Sequence, residues 1–254
     1  MTTNEVIQIE NIDIHNAVRG HYAERAASLL EGAPAAPCCG DSCSCGYAAE
    51  ELDRLPADAA QASWGCGDPV SLAALQPGQR VLDLGSGGGL DCLLAAQKVG
   101  ESGWVIGVDM TPEMLSLAWR NAAKAGLRNV EFRHGHIEKL PVESASIDVI
   151  LSNFVINLSP DKPAVFREAQ RVLRAGGKFA VSDIVSDSPI PASAQADMIS
   201  LAGCVSGAMT EADYLSAIQA AGFDDVRVAD RKHYAQVPDS DVQTYSVRVE
   251  AYKH

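Results

Sequence analysis

Hydrophobic positions form a regular pattern across the middle of the chain, from about residue 76 to residue 185. Short continuous apolar runs bounded by turn residues predict buried strands, and apolar residues at helical spacing predict helices between them. The predicted strands are 80–84, 104–109, 130–134, 147–152 and 178–185, and the predicted helices are 90–99, 112–125 and 163–173. This alternation predicts an α/β, Rossmann-like fold with a mostly parallel sheet and helices on both faces.

Less regular segments flank this pattern on both sides. Upstream, apolar residues at helical spacing between residues 9 and 30 predict an N-terminal helix. A loop of small residues and a short helix at 48–54 are expected to follow it. Downstream, Thr210 and Asp213 form a capping box that predicts a helix at 211–221, and a further strand is expected at 224–228.

A glycine-rich loop follows the first predicted strand. It reads Asp-Leu-Gly-Ser-Gly-Gly-Gly-Leu-Asp from Asp83 to Asp91, and Asp109 ends the next strand. Glycines let a ligand approach the backbone closely, and a carboxylate after the second strand can accept hydrogen bonds from both hydroxyls of a ribose. A dinucleotide fingerprint is the alternative, but Leu90 occupies its third glycine position. A third interpretation is that the glycines only make a tight turn.

Residues 83–89 resemble the S-adenosylmethionine loop of class I methyltransferases, and residues 135–141 resemble the segment that frames adenine in them. This resemblance implies S-adenosylmethionine as the cofactor and Asn153 near its amino-acid end. The other residues that it implies for cofactor binding are Asp83, Gly85, Ser86, Gly87, Asp109, Met110, Ile137 and Glu138.

Six of the seven cysteines lie outside the regular segment between residues 76 and 185. Cys92 lies within it and is expected to pack in the core. The six are Cys38, Cys39, Cys43, Cys45, Cys66 and Cys204. Glycines frame Cys66, so the backbone of its loop is adaptable and its thiol is expected to be accessible. The alternatives to a functional role are an incidental surface thiol at Cys66 and a small core residue at Cys204. Zinc is a minority interpretation because no second ligand pair follows the cysteine cluster.

Together these motifs resemble the arsenite S-adenosylmethionine methyltransferases, most densely at Gly65-Cys66-Gly67, at 83–91 and at 152–162. The resemblance implies Cys66 and Cys204 as catalytic ligands of trivalent arsenic. Cys38 or Cys39 matches a family cysteine implicated in a disulfide with the Cys66 equivalent. One departure stands out, because Phe154 occupies the position of another arsenic-site cysteine.

Trivalent arsenic is soft and binds thiolates, and its lone pair can attack the methyl group of a sulfonium in line. Methyl transfer oxidises arsenic to the pentavalent state, and a thiol pair could reduce it again. An external reductant such as thioredoxin or a glutathione-like thiol would then be needed. With Phe154 in place of a thiol, we expect methylation to stop early or already substituted arsenicals to be preferred, unless this ring only fills apolar space.

The resemblance also divides the chain by role. Residues 1–69 would be a helix with cysteine-rich loops that contribute to the substrate site, 70–186 the S-adenosylmethionine-binding domain, and 187–254 the C-terminal substrate-binding region. Two other functions remain open. One is a small-molecule C- or O-methyltransferase with incidental cysteines, and the other is a thiol-rich metalloid-binding protein without transfer activity.

Charge and hydropathy narrow the class of partner. The net charge is −13, with 33 acidic and 20 basic residues, so no basic face is evident for nucleic acid. No apolar run approaches the length of a membrane span, and the first thirty residues do not resemble a signal peptide. We expect a cytoplasmic monomer that binds neither nucleic acid nor membrane.

Overall fold

The structure, a computed structural model, describes residues 3–32, 47, 49–52, 55–62, 65, 67–191, 205 and 207–254, with only the backbone of residues 3–13 and 49. The helices are α1 (Thr3–Leu30), α2 (Ala49–Leu52), α3 (Ala57–Gln61), α4 (Pro69–Ala73), α5 (Leu90–Val99), α6 (Pro112–Ala125), α7 (Lys162–Val172) and α8 (Glu211–Ala220). The strands are β1 (Arg80–Leu84), β2 (Trp104–Asp109), β3 (Val130–His134), β4 (Ile147–Asn153), β5 (Leu173–Ser186), β6 (Asp224–Gln236) and β7 (Gln243–Tyr252).

The strands form one seven-stranded sheet in the order β3-β2-β1-β4-β5-β7-β6. Neighbouring strands from β3 to β5 are parallel, whereas β7 runs antiparallel to both β5 and β6. This arrangement confirms the predicted α/β fold with a mostly parallel sheet. It also adds two antiparallel strands from the C-terminal part of the chain to the same sheet.

Two apolar clusters cover the two faces of the sheet. Because successive side chains of a strand point to opposite faces, Leu82 of β1 joins one cluster and Val81 the other. The first contains Phe166 of α7 and Tyr214 of α8, and the second contains Leu93 of α5. Helices therefore bury both faces of the parallel strands, which explains why these strands are apolar throughout.

Several predicted bounds need correction. Helix α7 ends at Val172 and β5 begins at Leu173, because Leu173 already has extended backbone and pairs with Ile147. Strand β6 continues to Gln236, beyond the predicted end at residue 228, and β7 was not predicted. Both differences reflect the pairing of β6 with β7, which keeps a polar, exposed segment extended.

Helix α1 packs against α6 and brings its middle turns to the carboxyl ends of the strands. Its last turn is held by Arg120 of α6, whose guanidinium donates to the carbonyls of Leu29 (3.0 Å) and Leu30 (3.1 Å). The Leu29 carbonyl also accepts from the backbone N–H of Gly32 (3.2 Å), so Arg120 adds to the hydrogen bonding of the last turn. Across the residues that the structure describes, no helix is long and apolar enough to cross a membrane.

Candidate active site

A cleft opens at the carboxyl ends of β1, β2 and β4, where the strand order reverses. In open α/β sheets this is the place where ligands bind. Its empty volume, including the open mouth, is about 930 Å³, which is large enough for a cofactor. Its walls include the glycine loop at 85–88, residues 109–111, 135–138 and 153–155, and three α1 side chains, His15, Val18 and Tyr22.

Two glycines of the loop keep side-chain atoms out of the cleft. Gly85 has φ +68°, and a Cβ there would lie 2.5 Å from the side chain of Val155. Gly87 has φ +49°, and its nearest neighbour to such a Cβ would be 4.0 Å away. The backbone therefore forms the wall at this point, and a ligand can approach it directly.

Asp109 lies at the end of β2 and fixes the loop. Its Oδ2 accepts from the backbone N–H of Gly87 (2.9 Å) and its Oδ1 from that of Thr111 (2.8 Å). Burial raises the pKa of Asp109, and these backbone hydrogen bonds act in the opposite direction. Each carboxylate oxygen retains acceptor capacity beyond these bonds, which suits the two hydroxyls of a ribose.

Asp83, a predicted cofactor residue, lies behind the loop and does not line the cleft. It is 2% exposed and accepts from the thiol of Cys92 (3.3 Å), and burial raises its pKa well above the ordinary value. Asp91, in the first turn of α5, does line the cleft. Asp91 was not predicted as a site residue, although its position two residues after the last glycine of the loop was a usable signal.

Asn153 connects several parts of this wall from the end of β4. Its Nδ2 donates to the carbonyl of Gly67 (2.9 Å), to the hydroxyl of Tyr47 (3.0 Å) and to Oδ2 of Asp91 (3.3 Å). Its Oδ1 is buried and has no hydrogen-bond partner among the described residues, as is true of the Ser86 hydroxyl. Two such atoms beside a cleft fit a polar ligand that would complete their bonding.

The glycines on either side of Cys66 lie against Asn153, at the end of β4, and Ser182, its pairing partner on β5. A Cβ at Gly65 would lie 2.3 Å from the side chain of Asn153, and one at Gly67 would lie 1.8 Å from the hydroxyl of Ser182. Both positions therefore require glycine. The predicted thiols Cys38, Cys39, Cys43, Cys45, Cys66 and Cys204 lie outside the described residues, and their roles stay predictions.

Phe154 follows Asn153 and has a backbone conformation that is rare for its type. Its φ is +64°, in the left-handed region, and its side chain is 4% exposed. The ring lies 6.2 Å from that of Tyr234 and packs with Ile184 and Val205 in an apolar cluster. This cluster lies beside the C-terminal ribbon, the antiparallel pair of β6 and β7. It lines the cleft, so the end of the cleft near residue 154 has an apolar wall.

A group of polar side chains around Glu138 also lines the cleft. His15 Nε2 lies 3.0 Å from Glu138 Oε1, which also accepts from the Ser159 hydroxyl. Burial lowers the pKa of His136, with the neighbouring His15 adding to the effect. The structure thus brings into one cleft the predicted residues Gly85, Ser86, Gly87, Asp109, Met110, Ile137, Glu138 and Asn153.

A methyltransferase-domain family model matches residues 75–222. The arsenite methyltransferase of Halobacterium salinarum is 50% identical over 198 residues, which cover 76% of this chain and 50% of that protein. The arsenite methyltransferase of Aquipseudomonas alcaligenes is 38% identical, over 85% of this chain and 64% of that protein. The crystal structure of an arsenic (III) S-adenosylmethionine methyltransferase from Chlamydomonas reinhardtii superposes with a TM-score of 0.74 at 37% identity, covering 80% of this chain and 72% of that one. The chain spans about half the length of the H. salinarum protein.

Proposed function

This chain belongs to the arsenite methyltransferase family, and we propose that it transfers methyl groups from S-adenosylmethionine to trivalent arsenic bound by thiolates. One observation carries the proposal: Gly65, directly before Cys66, lines the cleft and lies against the side chain of Asn153. A thiol in that segment would therefore lie within reach of a methyl donor in the cleft. The substrate class is trivalent arsenicals, arsenite or methylarsenite.

The described residues fit the cofactor in three places. Asp109 would accept from the ribose hydroxyls, and the segment with Ile137 and Glu138 would flank the adenine. Asp91 and Asn153 would bind the amino-acid end, where the Asp91 carboxylate and the Asn153 Oδ1 can both accept from its ammonium group. When bound, S-adenosylmethionine would supply an electrophilic methyl group. The predicted role of Asp83 becomes indirect in this proposal, since it supports the loop from behind.

The thiols would supply the rest of the chemistry. Cys66 and Cys204 would hold arsenic as thiolates, which suit a soft element, and aim its lone pair at the methyl carbon. In this transfer an As–C bond would replace the S–C bond, whose electron pair would stay on sulfur, so arsenic would be formally oxidised by two electrons. Two thiols, with Cys38 or Cys39 as one of them, would return two electrons and become a disulfide.

Turnover therefore requires a partner that reduces this disulfide, a thioredoxin or a glutathione-like thiol. We propose that the protein works as a monomer in the cytoplasm, where such reductants are abundant and disulfides are transient. Neither nucleic acid nor a membrane is part of the proposed reaction. The excess of acidic residues agrees with this, because it disfavours binding to phosphate-rich surfaces.

The central experiment supplies S-adenosylmethionine, a thiol reductant and either arsenite or methylarsenite, and quantifies methylated arsenic and S-adenosylhomocysteine by mass spectrometry. We expect Cys66→Ser and Cys204→Ser to lower the rate roughly 100-fold or more, because arsenic is no longer positioned. Cys92→Ser is the matched control, since Cys92 is buried behind the loop. Wild-type rates for the Cys66 and Cys204 variants would refute the assignment.

The same assay separates the other two functions. Methyl transfer to an organic acceptor, with none to any arsenical, would select a small-molecule methyltransferase. Tight binding of arsenite without production of S-adenosylhomocysteine would select a metalloid-binding protein. Neither is favoured by an observation in the structure.

We also propose that residue 154 sets how many methyl groups are added. Phe154 lines the cleft where the family has a third thiol, so two protein thiolates would remain for arsenic. Phe154→Cys is therefore expected to increase the share of more highly methylated products. Identical product distributions for the wild type and the variant would show that the ring only fills apolar space.

A further inference from the structure

We propose that Tyr47 is a positioning residue of the cofactor site, whose hydroxyl keeps Asp91 an ionised acceptor for the ammonium group of the cofactor. Tyr47 follows the cysteine cluster by two residues, and the sequence analysis gave it no role. The inference rests on the proposed function, because it assumes that the cleft binds S-adenosylmethionine or its product.

The hydrogen bonds around Tyr47 form a closed set. Its hydroxyl donates to Oδ1 of Asp91 and accepts from Nδ2 of Asn153 (3.0 Å), which also lies 3.3 Å from Oδ2 of Asp91. The three side chains come from a loop, from β4 and from the first turn of α5. Tyr47 is only 7% exposed, so its hydroxyl is held in this arrangement by the packing around its ring.

Tyr47 can only donate toward Asp91. Burial, followed by the charge of Asp91, raises the pKa of Tyr47 well above its ordinary value, so the phenol stays protonated. A phenol between a carboxylate and an amide N–H has one consistent orientation, with its O–H directed at the carboxylate and a lone pair directed at the amide. Asp91 therefore receives hydrogen bonds on both oxygens and is held with its carboxylate beside the cleft.

The charges around Asp91 call for a cation. Burial raises the pKa of Asp91 to about 6, while the hydrogen bonds from Tyr47 and Asn153 act to lower it. The other titratable groups that interact with it among the described residues are Asp68 at the start of α4, Asp83 on β1 and Cys92 on α5. None of these groups carries a positive charge. The ammonium of an amino-acid ligand would supply the missing cation.

Removal of the Tyr47 hydroxyl should change how the affinity for the cofactor depends on pH. Without its hydrogen bond, the protonated form of Asp91 is relatively more stable, so the pKa of Asp91 rises further. A neutral Asp91 attracts an ammonium less. The loss of cofactor affinity should therefore be large at low pH and small at high pH. A purely structural role of Tyr47 would instead weaken binding equally at every pH.

The experiment measures the dissociation constant of S-adenosylhomocysteine, which retains the ammonium group, by calorimetry from pH 5.5 to 8.5. We expect the acid limb of binding by Tyr47→Phe to move up by about one pH unit, with about fivefold weaker binding at pH 6 and near wild-type binding at pH 8.5. Tyr214→Phe is the matched control, because the Tyr214 hydroxyl also donates to a buried aspartate, Asp183 (3.3 Å), away from the cleft. Its binding profile should match the wild type.

Parallel profiles for the wild type and Tyr47→Phe, with equal or uniformly weaker binding, would overturn the inference. An equal displacement in Tyr214→Phe would also overturn it. If wild-type protein bound no S-adenosylhomocysteine at any pH, the proposed function would fail together with the inference. Cofactor binding with the expected profile but no transfer to arsenic would refute only the arsenic substrate and support the role of Tyr47.

Discussion

Phe154 offers a direct test of backbone strain in the candidate site. Its φ of +64° is in the left-handed region, where a residue with a Cβ is destabilised by about 1–2 kcal/mol. Its buried ring contributes in the opposite direction, because removing a buried Phe side chain costs about 3–5 kcal/mol. Phe154→Ala should therefore be strongly destabilising, since it removes the ring and keeps the strain.

Phe154→Gly removes the ring and the strain together. At an ordinary position Gly is about 0.5–1 kcal/mol less stable than Ala, because its unfolded chain has more conformational freedom. At residue 154 the relief of about 1–2 kcal/mol exceeds that cost. We expect the glycine variant to be more stable than the alanine variant by about 0.5–1 kcal/mol, which inverts the usual order.

Urea denaturation of the wild type and both variants measures this difference. The control is the same pair of substitutions at Phe166, a fully buried residue inside α7, where Gly should be the less stable variant by about 1 kcal/mol. If Gly were also less stable than Ala at residue 154, the strain attributed to that backbone would be absent. The reasoning about Phe154 would then be wrong.

Three further predictions concern other sites. Burial raises the pKa of Asp183 to about 7 from an ordinary 3.8, so the folded state keeps a proton that the unfolded state loses. The free energy of unfolding should therefore fall by about 4 kcal/mol between pH 4 and 8, and Asp183→Asn should flatten that part of a urea stability profile. Ala74, with φ +52° after α4, should gain about 0.5–1 kcal/mol in thermal unfolding on substitution by Gly; a loss would contradict its left-handed conformation. Gly67→Ala should lower methyl transfer at least tenfold, because its Cβ would lie 1.8 Å from the hydroxyl of Ser182. Gly20→Ala, which meets no atom within 4 Å, should keep the wild-type rate.

The central part of the fold was predictable because its signals are local. Strands β1, β2 and β3 have the bounds that apolar runs and turn residues predicted, as do helices α5 and α6. Each of these strands is buried on both faces of the sheet or ends at a glycine or proline turn. Pattern and propensity therefore agree along the whole segment, and the sequence alone determines the element.

The C-terminal ribbon was harder to predict because its pairing is non-local. Strand β6 contains a long run of exposed polar residues, and only its partner β7 keeps that run extended. The register also shifts three times along this pair, so no simple alternation appears in the sequence. Yet the ribbon matters for the site, because it places Tyr234 against Phe154.

One part of the candidate site could also be predicted from the sequence, and another part could not. The glycine loop and Asp109 could be predicted from their spacing, because the loop and the end of β2 are close in sequence. The contact of Tyr47 with Asp91 could not, because 44 residues separate the two side chains. Residues far apart in sequence meet here, at the carboxyl ends of β1 and β4, where the strand order reverses.

Asn153 makes several of these long-range contacts because of its position in the sheet. It ends β4, the strand next to β1 on the side away from Asp109, so it faces the glycine loop from across the cleft. One amide group there bonds the segment after Cys66, through Gly67, and the carboxylate of Asp91. A movement of the thiol-bearing segment must therefore change the hydrogen bonds of the cofactor wall. Under the proposed function, arsenic binding at that segment and cofactor binding in the cleft should therefore be coupled, and by thermodynamic linkage each should alter the affinity of the other by the same factor.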